Sequence, residues 1–423
     1  MNNAQQKPVD LIQCRDISQT EVDIICAKHE RLWSGRKGGE RADLSYVDLS
    51  GLDLSGRNLQ DANFTASVLF ETNLQGAKLD SAIFYGADMT RAQLQGAGLR
   101  RADMRGVILR GANMTNADLF ESDMREGVVA ERDPEHGFRV LHHQARASEA
   151  EGAIFQGANL ERSRLQGLKA GQADFRDAIL RGARLVRANL QGANFCGANL
   201  ENADVSGANM KEANLRDVVL VGARLQQCNQ EGADLAGALT DEPQGPAFKI
   251  SELEAMVAAH EKWLETQGAE GGAARFDGAD LRRLQSMMSY SLSDLQARRA
   301  ILYGMNLEGA QLQGAQMDYA DLRMANLKRA DLRGIRLRGA RLQGADLRGA
   351  DVSPLLLNGD RILPSDLSET CLRDADFSGA NLSQAVFSQA DLRGANVTGA
   401  NMNQVLMDDV LSDRLKGLTL NQM

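Results

Sequence analysis

Large apolar residues return along this chain every five positions. From Leu44 they recur at Leu49, Leu54, Leu59 and Phe64 and continue without a polar residue to Met124. Two residues before most of these centres stands an alanine, as at Ala42, Ala62 and Ala77, and Asp or Asn often lies between, as at Asp43, Asn63 and Asp88. A second register runs from Phe155 to Leu235, broken only by Ala170 and Gln230. A third contains Leu302 to Leu347 and reappears from Leu367 to Met407. On an α-helix five residues advance about 140°, so such centres would scatter around the axis. On a straight strand successive centres would alternate faces. The period therefore requires a chain that bends after each short extended segment. The centre and the small residue two before it then point inward, and the other three point out. Gly and Ser near the junctions suit the bends.

The run Ala188 to Phe195 reads ANLQGANF. Dozens of such segments in register resemble the pentapeptide repeat family, whose consensus is A-(D/N)-L-x-x. The resemblance implies a mainly β fold, a right-handed quadrilateral parallel β-helix with four pentapeptides to a coil. Its coils would stack about 4.8 Å apart. Each coil would bury its inner face only against its neighbours, so the ends need caps.

The segments outside the repeat supply candidates for those caps. Val22, Ile25, Cys26, His29, Leu32 and Trp33 have helical spacing, with Ser18 and Glu21 as a capping box. The pattern recurs at Leu253, Met256, Val257, His260, Trp263 and Leu264, with Ser251 and Glu254 as the second box. The reading is an internal duplication into two tandem units, each preceded by a capping helix that covers the unpaired edge of its first coil. It divides the chain into a tail and capping helix (1–40), a β-helix (41–240) with a projecting hairpin (126–150), a linker and second capping helix (241–274), a second β-helix (275–407) with a loop excursion (353–364), and a C-terminal cap or tail (408–423). A Pro/Gly turn marks the first excursion, and Asn358-Gly359 the second. Residues 282–301 keep the period only loosely.

Composition agrees with a thin, repetitive core. Apolar residues are 43% and charged residues 25%, as in a folded protein, yet aromatics are only 4%. The interior must be built mainly from Leu, Ala and Met. The net charge of −9 implies no bulk attraction to nucleic acid, so direct nucleic-acid binding is not expected. The five cysteines are scattered without disulfide or metal spacing, which fits a reducing compartment. The polar first ten residues do not read as a signal peptide, and no run approaches the length of a membrane span. With a family widespread in bacteria, a cytoplasmic bacterial location is the expectation.

The sequence offers little for catalysis. The glycines are repeat-spaced bends and form no phosphate-binding loop. The many Asp residues are periodic surface. A narrow solenoid filled by its own side chains leaves no substrate cavity. No catalytic residue, cofactor or metal is expected. His136, His142 and His143 cluster in the first excursion beside Phe138 and read as a solvated loop rather than a zinc site. Arg323, Lys328, Arg333 and Arg338 follow four successive centres and so girdle one coil. They are either paired with neighbouring acids or a surface for an anionic partner. These eight residues are the candidate interaction positions. The expected function is a non-catalytic scaffold for a protein partner, with a homo-oligomer left open and no membrane role. The alternative follows from the resemblance: some family members mimic duplex DNA and inhibit or protect gyrase, a type II topoisomerase. Those members present acidic faces. Here the positions after the centres of the first register are mostly Ser, Gln, Thr and Arg (Arg100, Arg105, Arg110), with Asp80 the lone acid.

Overall fold

The backbone turns a corner at every fifth residue. The centre's carbonyl accepts a bond from the N–H three residues on, as from Ala62 to Leu59 at 3.1 Å. The second residue after the centre lies at positive φ, +65° at Gly56 and +57° at Asp61 and Arg101. A Cβ in that conformation costs about 1 kcal/mol, so glycine fills many of these corners. The computed structural model describes residues 14–128, 131–133, 137–139, 145–246, 248–357 and 361–417. They fall into two compact units, Met1–Asp241 and Glu242–Met423.

In the first unit parallel bridges join residues twenty apart: Asp43 to Asn63, Asp48 to Val68, Asp53 to Asn73, Asn58 to Lys78. Four pentapeptides thus close one coil, and each of its four faces is a ladder. Between coils, the Leu44 N–H donates to Asn63 O at 2.7 Å, the Asn63 N–H to Ala42 O at 3.0 Å, and the Tyr46 N–H to Thr65 O at 2.9 Å. Centres and their small partners are buried from Ala42 to Leu220, whereas in the last coil Ala223, Leu225 and Ala233 are half-buried and Leu235 is exposed. Identical side chains stack at the coil spacing: Phe64 on Phe84 at 4.7 Å, Phe155 on Phe175 at 4.8 Å and Phe175 on Phe195 at 4.7 Å.

The first coil is covered on each face by a different N-terminal group. Helix α1 (Gln19–Trp33) starts at Ser18, whose hydroxyl accepts from the Glu21 N–H while the Glu21 carboxylate takes the Ser18 N–H. Its buried side chains are Val22, Cys26 and His29. Strand β1 (Arg15–Asp16) pairs with β2 (Val47–Asp48). The Gln19 amide makes both bonds to the Asp53 backbone at 2.8 Å. Trp33 donates to Gln60 O at 3.1 Å, and His29 Nδ1 accepts the Ala42 N–H at 3.0 Å.

The second unit repeats the device with helix α2 (Ile250–Glu265), which buries Leu253, Val257 and His260. His260 Nδ1 accepts the Ala274 N–H at 3.1 Å, and Nε2 faces Ser293 O at 3.1 Å. A carbonyl can only accept, so Nε2 carries the proton and the ring is neutral. The helix begins two residues before the box expected at Ser251 and Glu254. Glu252 takes the Lys249 N–H at 2.9 Å, and lysine has no acceptor to complete the reciprocal bond. The loosely periodic stretch contains one extra residue. Arg275 pairs with Gln296 and Asp280 with Ile301, each 21 apart, before Ser286 resumes twenty-residue pairing with Asn306. The extra residue is absorbed in a 3₁₀ turn, Arg282–Leu284, followed by Gln285 at φ +58°. The ladders continue to Lys416, so residues 408–416 add to the solenoid where a cap or tail was expected.

Burial lowers the proton affinity of His29 and His260 below the ordinary 6.5. Protonating Nδ1 would remove the acceptor of the Ala42 or Ala274 N–H. Because the folded pKa lies below the unfolded one, this contribution is complete above about 6.5 and is lost as pH falls from there. Thermal melting should therefore fall between pH 7 and 5, and less steeply in His29→Phe or His260→Phe, as calorimetry across that range would show.

Candidate interaction surfaces

Two excursions leave the solenoid, and both return on a buried serine. In the first unit Ile108 pairs with Glu149 instead of with the residue twenty on, and the ladder resumes at Ser148 and Ala150. The insert therefore spans 127–147, inside the expected 126–150. Ala150 is a centre, a small one that hid the resumed register. Strand β3 (Gly127–Val128) pairs with β6 (Ala145–Arg146), and β4 (Glu131–Asp133) with β5 (Gly137–Arg139), all antiparallel. Gly127 passes close to the coil: a Cβ there would stand 3.0 Å from the Arg105 carbonyl. In the second unit Asp351 pairs with Asn381, thirty residues on, so 355–364 is inserted within the expected 353–364. It holds the antiparallel pair β7 (Leu355–Leu356) and β8 (Ile362–Leu363).

The return serines occupy the small inward position and tie exit to return. Ser148 Oγ lies 3.1 Å from Arg125 O. Ser365 Oγ lies 3.0 Å from Ser353 O and accepts the Gly334 N–H at 2.8 Å. Ser148→Ala or Ser365→Ala should cost about 1–2 kcal/mol, because the bonded groups are buried. Hydrogen exchange should rise first in the coils flanking the insert.

Of the candidate residues in the first insert, His136, His142 and His143 lie outside the described residues. Phe138 is placed by its backbone, paired with Arg132 in the β4–β5 ribbon. The four basic girdle residues fall on four different ladders, and each meets a carboxylate. Arg323 is buried and bonds Asp321 through Nε at 2.8 Å and Nη2 at 2.6 Å. Arg333 holds Asp331 at 2.9 and 2.6 Å. Lys328 reaches Asp346 at 3.1 Å, and Arg338 reaches Glu369 at 2.5 Å. Burial of Asp331 opposes its ionisation, but bonds from Arg333 win and hold its carboxyl below the usual range. The girdle's charge is thus largely spent internally.

A different basic surface is assembled by the twenty-residue coil. On the face that begins at Asp43, four successive coils carry Arg105, Arg125, Arg164 and Arg184, with Arg101 and Arg162 at the adjoining corner. They line an open groove of about 750 Å³ together with the carboxylates Asp103, Glu121 and Asp123. Arg105 and Arg125 lie far apart in sequence from Arg164 and Arg184 because the insert intervenes. Reading every twentieth residue and omitting 127–147 aligns Arg164 and Arg184 with Asp103 and Asp123, two residues before Arg105 and Arg125, so the four arginines occupy two neighbouring columns of one face. No group of three or more His, Cys, Asp or Glu among the described residues is arranged to hold a metal ion. No helix among them is long and apolar enough to cross a membrane.

A sequence model described as pentapeptide repeats matches eight stretches: 48–86, 87–125, 149–182, 178–217, 213–238, 291–329, 315–353 and 366–409. The chain belongs to the pentapeptide repeat family. Among solved structures this pentapeptide repeat protein is similar to HetL of the cyanobacterium Nostoc sp. strain PCC 7120, a member involved in heterocyst differentiation regulation. The two are 21% identical over 90% of this chain and 92% of that one, with a TM-score of 0.19. QnrB1, a plasmid-mediated fluoroquinolone resistance protein, is 19% identical over 48% of this chain and 93% of its own, with a TM-score of 0.26. Rfr23 of the cyanobacterium Cyanothece 51142 is 24% identical over 33% and 91%, with a TM-score of 0.17. No curated protein sequence matches significantly.

Proposed function

We propose that this pentapeptide repeat protein is a non-catalytic interaction scaffold of two capped tandem units that display loops to a protein partner. The observation that carries this reading is the construction of the excursions. The coil above and the coil below each insert remain in register, and a buried serine closes its base. The solenoid is thereby a rigid stand, and loops on such a stand are where binding residues concentrate. The second insert presents Leu356 at 75% exposure and Ile362 at 53%, a small apolar edge of the kind partners cover.

Duplex-DNA mimicry would need a continuous acidic face. The ladders of the first unit instead mix acids with Asn, Gln and Arg, and one face carries an arginine in each of four successive coils. This favours the scaffold over gyrase inhibition or protection.

Removing residues 127–147 joins Glu126 to Ser148 in unbroken five-residue register. The shortened protein should keep the melting temperature of the full chain within a few degrees but lose a partner captured from the source cell by the full chain. A shortened protein that captures every partner of the full chain would reduce the insert to a tolerated extension.

A further inference from the structure

We infer that the arginine groove of the first unit receives an acidic α-helix of a protein partner, lying along the solenoid axis with one stripe of carboxylates on the guanidiniums. The inference deepens the scaffold reading, on which it rests, by naming the partner's chemistry and its seat.

The groove is positive and only partly neutralised. Six arginines face three carboxylates among its lining residues. Arg105 and Arg125 are each held by the carboxylate two residues before them, with Nη2 contacts of 2.7 Å to Asp103 and to Asp123. Arg105 also lies 5.2 Å from the Tyr85 ring centre. These contacts fix the side chains while leaving guanidinium N–H groups free, since each carries five donors. Arg101 pairs with Glu121 at 3.1 Å. The others are barely committed: Arg162 and Arg164 approach carboxylates no closer than 3.8 Å, and exposed Arg184 has no carboxylate within ion-pair distance among the described residues.

Spacing selects the occupant. The coils rise by about 4.8 Å, as the stacked phenylalanines record at 4.7–4.8 Å. Three coil steps span about 14 Å, three turns of an α-helix about 16 Å. Arg105 and Arg125 stand two residues along the face from the column of Arg164 and Arg184, but their guanidiniums reach back over Asp103 and Asp123 in that column, so glutamates one turn apart stay level with successive arginines within the reach of those side chains. On an extended strand alternate residues are about 6.7 Å apart, and three such steps overrun the groove by about 6 Å. A nucleic-acid strand is disfavoured on two grounds. The chain's net charge is −9, and Tyr85, the aromatic ring beside Arg105, is already engaged by that guanidinium rather than open for base stacking.

The test uses the full chain and three probes of about twenty residues or nucleotides. One is an alanine-rich helical peptide with glutamates along a single stripe. One is a peptide of the same composition with the glutamates distributed around the helix. The third is an oligodeoxynucleotide. The striped peptide should bind at least tenfold more tightly than the scattered one, with affinity falling as salt rises. Arg164→Gln combined with Arg184→Gln should weaken striped-peptide binding at least tenfold, and Arg184→Gln alone should weaken it measurably. Melting temperature should be unchanged in both, which separates lost recognition from lost folding. Equal affinity for the two peptides, tighter binding of the oligonucleotide, or an unaffected double variant would overturn the inference. Partner capture through the insert is read independently, so these outcomes leave the scaffold reading to its own experiment.

Discussion

Leu190→Asp should unfold the first unit at temperatures where the native chain is stable. Leu190 has no exposed surface and sits on its ladder between the centres Ala170 and Met210. Its N–H donates to Asn209 O at 2.7 Å, so the backbone cannot swing the new carboxylate outward without breaking the inter-coil ladder. The dry column offers that carboxylate no donor, and burying it unpaired costs several kcal/mol. The lost leucine packing adds about 3 kcal/mol or more. Together these approach the whole stability of an ordinary domain, about 5–15 kcal/mol. Because coils support one another only through their neighbours, the damage should spread from this coil in both directions. Asn189→Asp, one residue away and facing out, should melt within a degree or two of the parent. Circular dichroism on heating checks both. A Leu190→Asp protein with the parental melting curve would mean that the five-residue register places the wrong side chains inside.

That register was legible because the solenoid's core is written into every repeat: one large inward residue, one small, three outward. The spacing by itself did not say how many repeats close a coil; four came only from the family resemblance. The fourfold closure follows from the Asp43–Asn63 and Asp48–Val68 bridges, which no local pattern announces. The resumed register after the first insert was masked by Ala150, which is too small to be recognised as a centre beside Phe155 and Leu160. The irregular stretch near 282 differs from the rest by a single residue, enough to defeat a strict period although the coil absorbs it in one 3₁₀ turn. The girdle from Arg323 to Arg338 was visible as a run of cations, but the run does not show that each one is turned onto an acid two or more residues away. The arginine groove shows the reverse: its members are separated by the insert and converge only when the coil stacks them. Charge along a solenoid has meaning at the coil period, and the pentapeptide period alone does not reveal it.

Deleting residues 1–38 should convert the protein into a self-associating species. The deletion strips one partner from each face of the first coil: β1 from Val47–Asp48, the Gln19 amide from the Asp53 backbone, the indole of Trp33 from Gln60 O, and His29 from the Ala42 N–H. It also uncovers the apolar cross-section now closed by Val22 and Cys26, with Leu44, Leu49, Leu54 and Leu59 forming the first layer beneath. What remains is an exposed set of parallel strand edges around an apolar centre, a template onto which another copy can stack at the same spacing. Nothing within the shortened chain can satisfy it, so association should rise with protein concentration and be visible by sedimentation against the full-length protein. Val22→Asp together with Cys26→Asp keeps the chain length and should move the same way, though less far, since the backbone bonds of β1 and Gln19 survive. If the shortened protein had the mass and melting temperature of the parent, helix α1 would be an attached segment rather than the closure of the first coil.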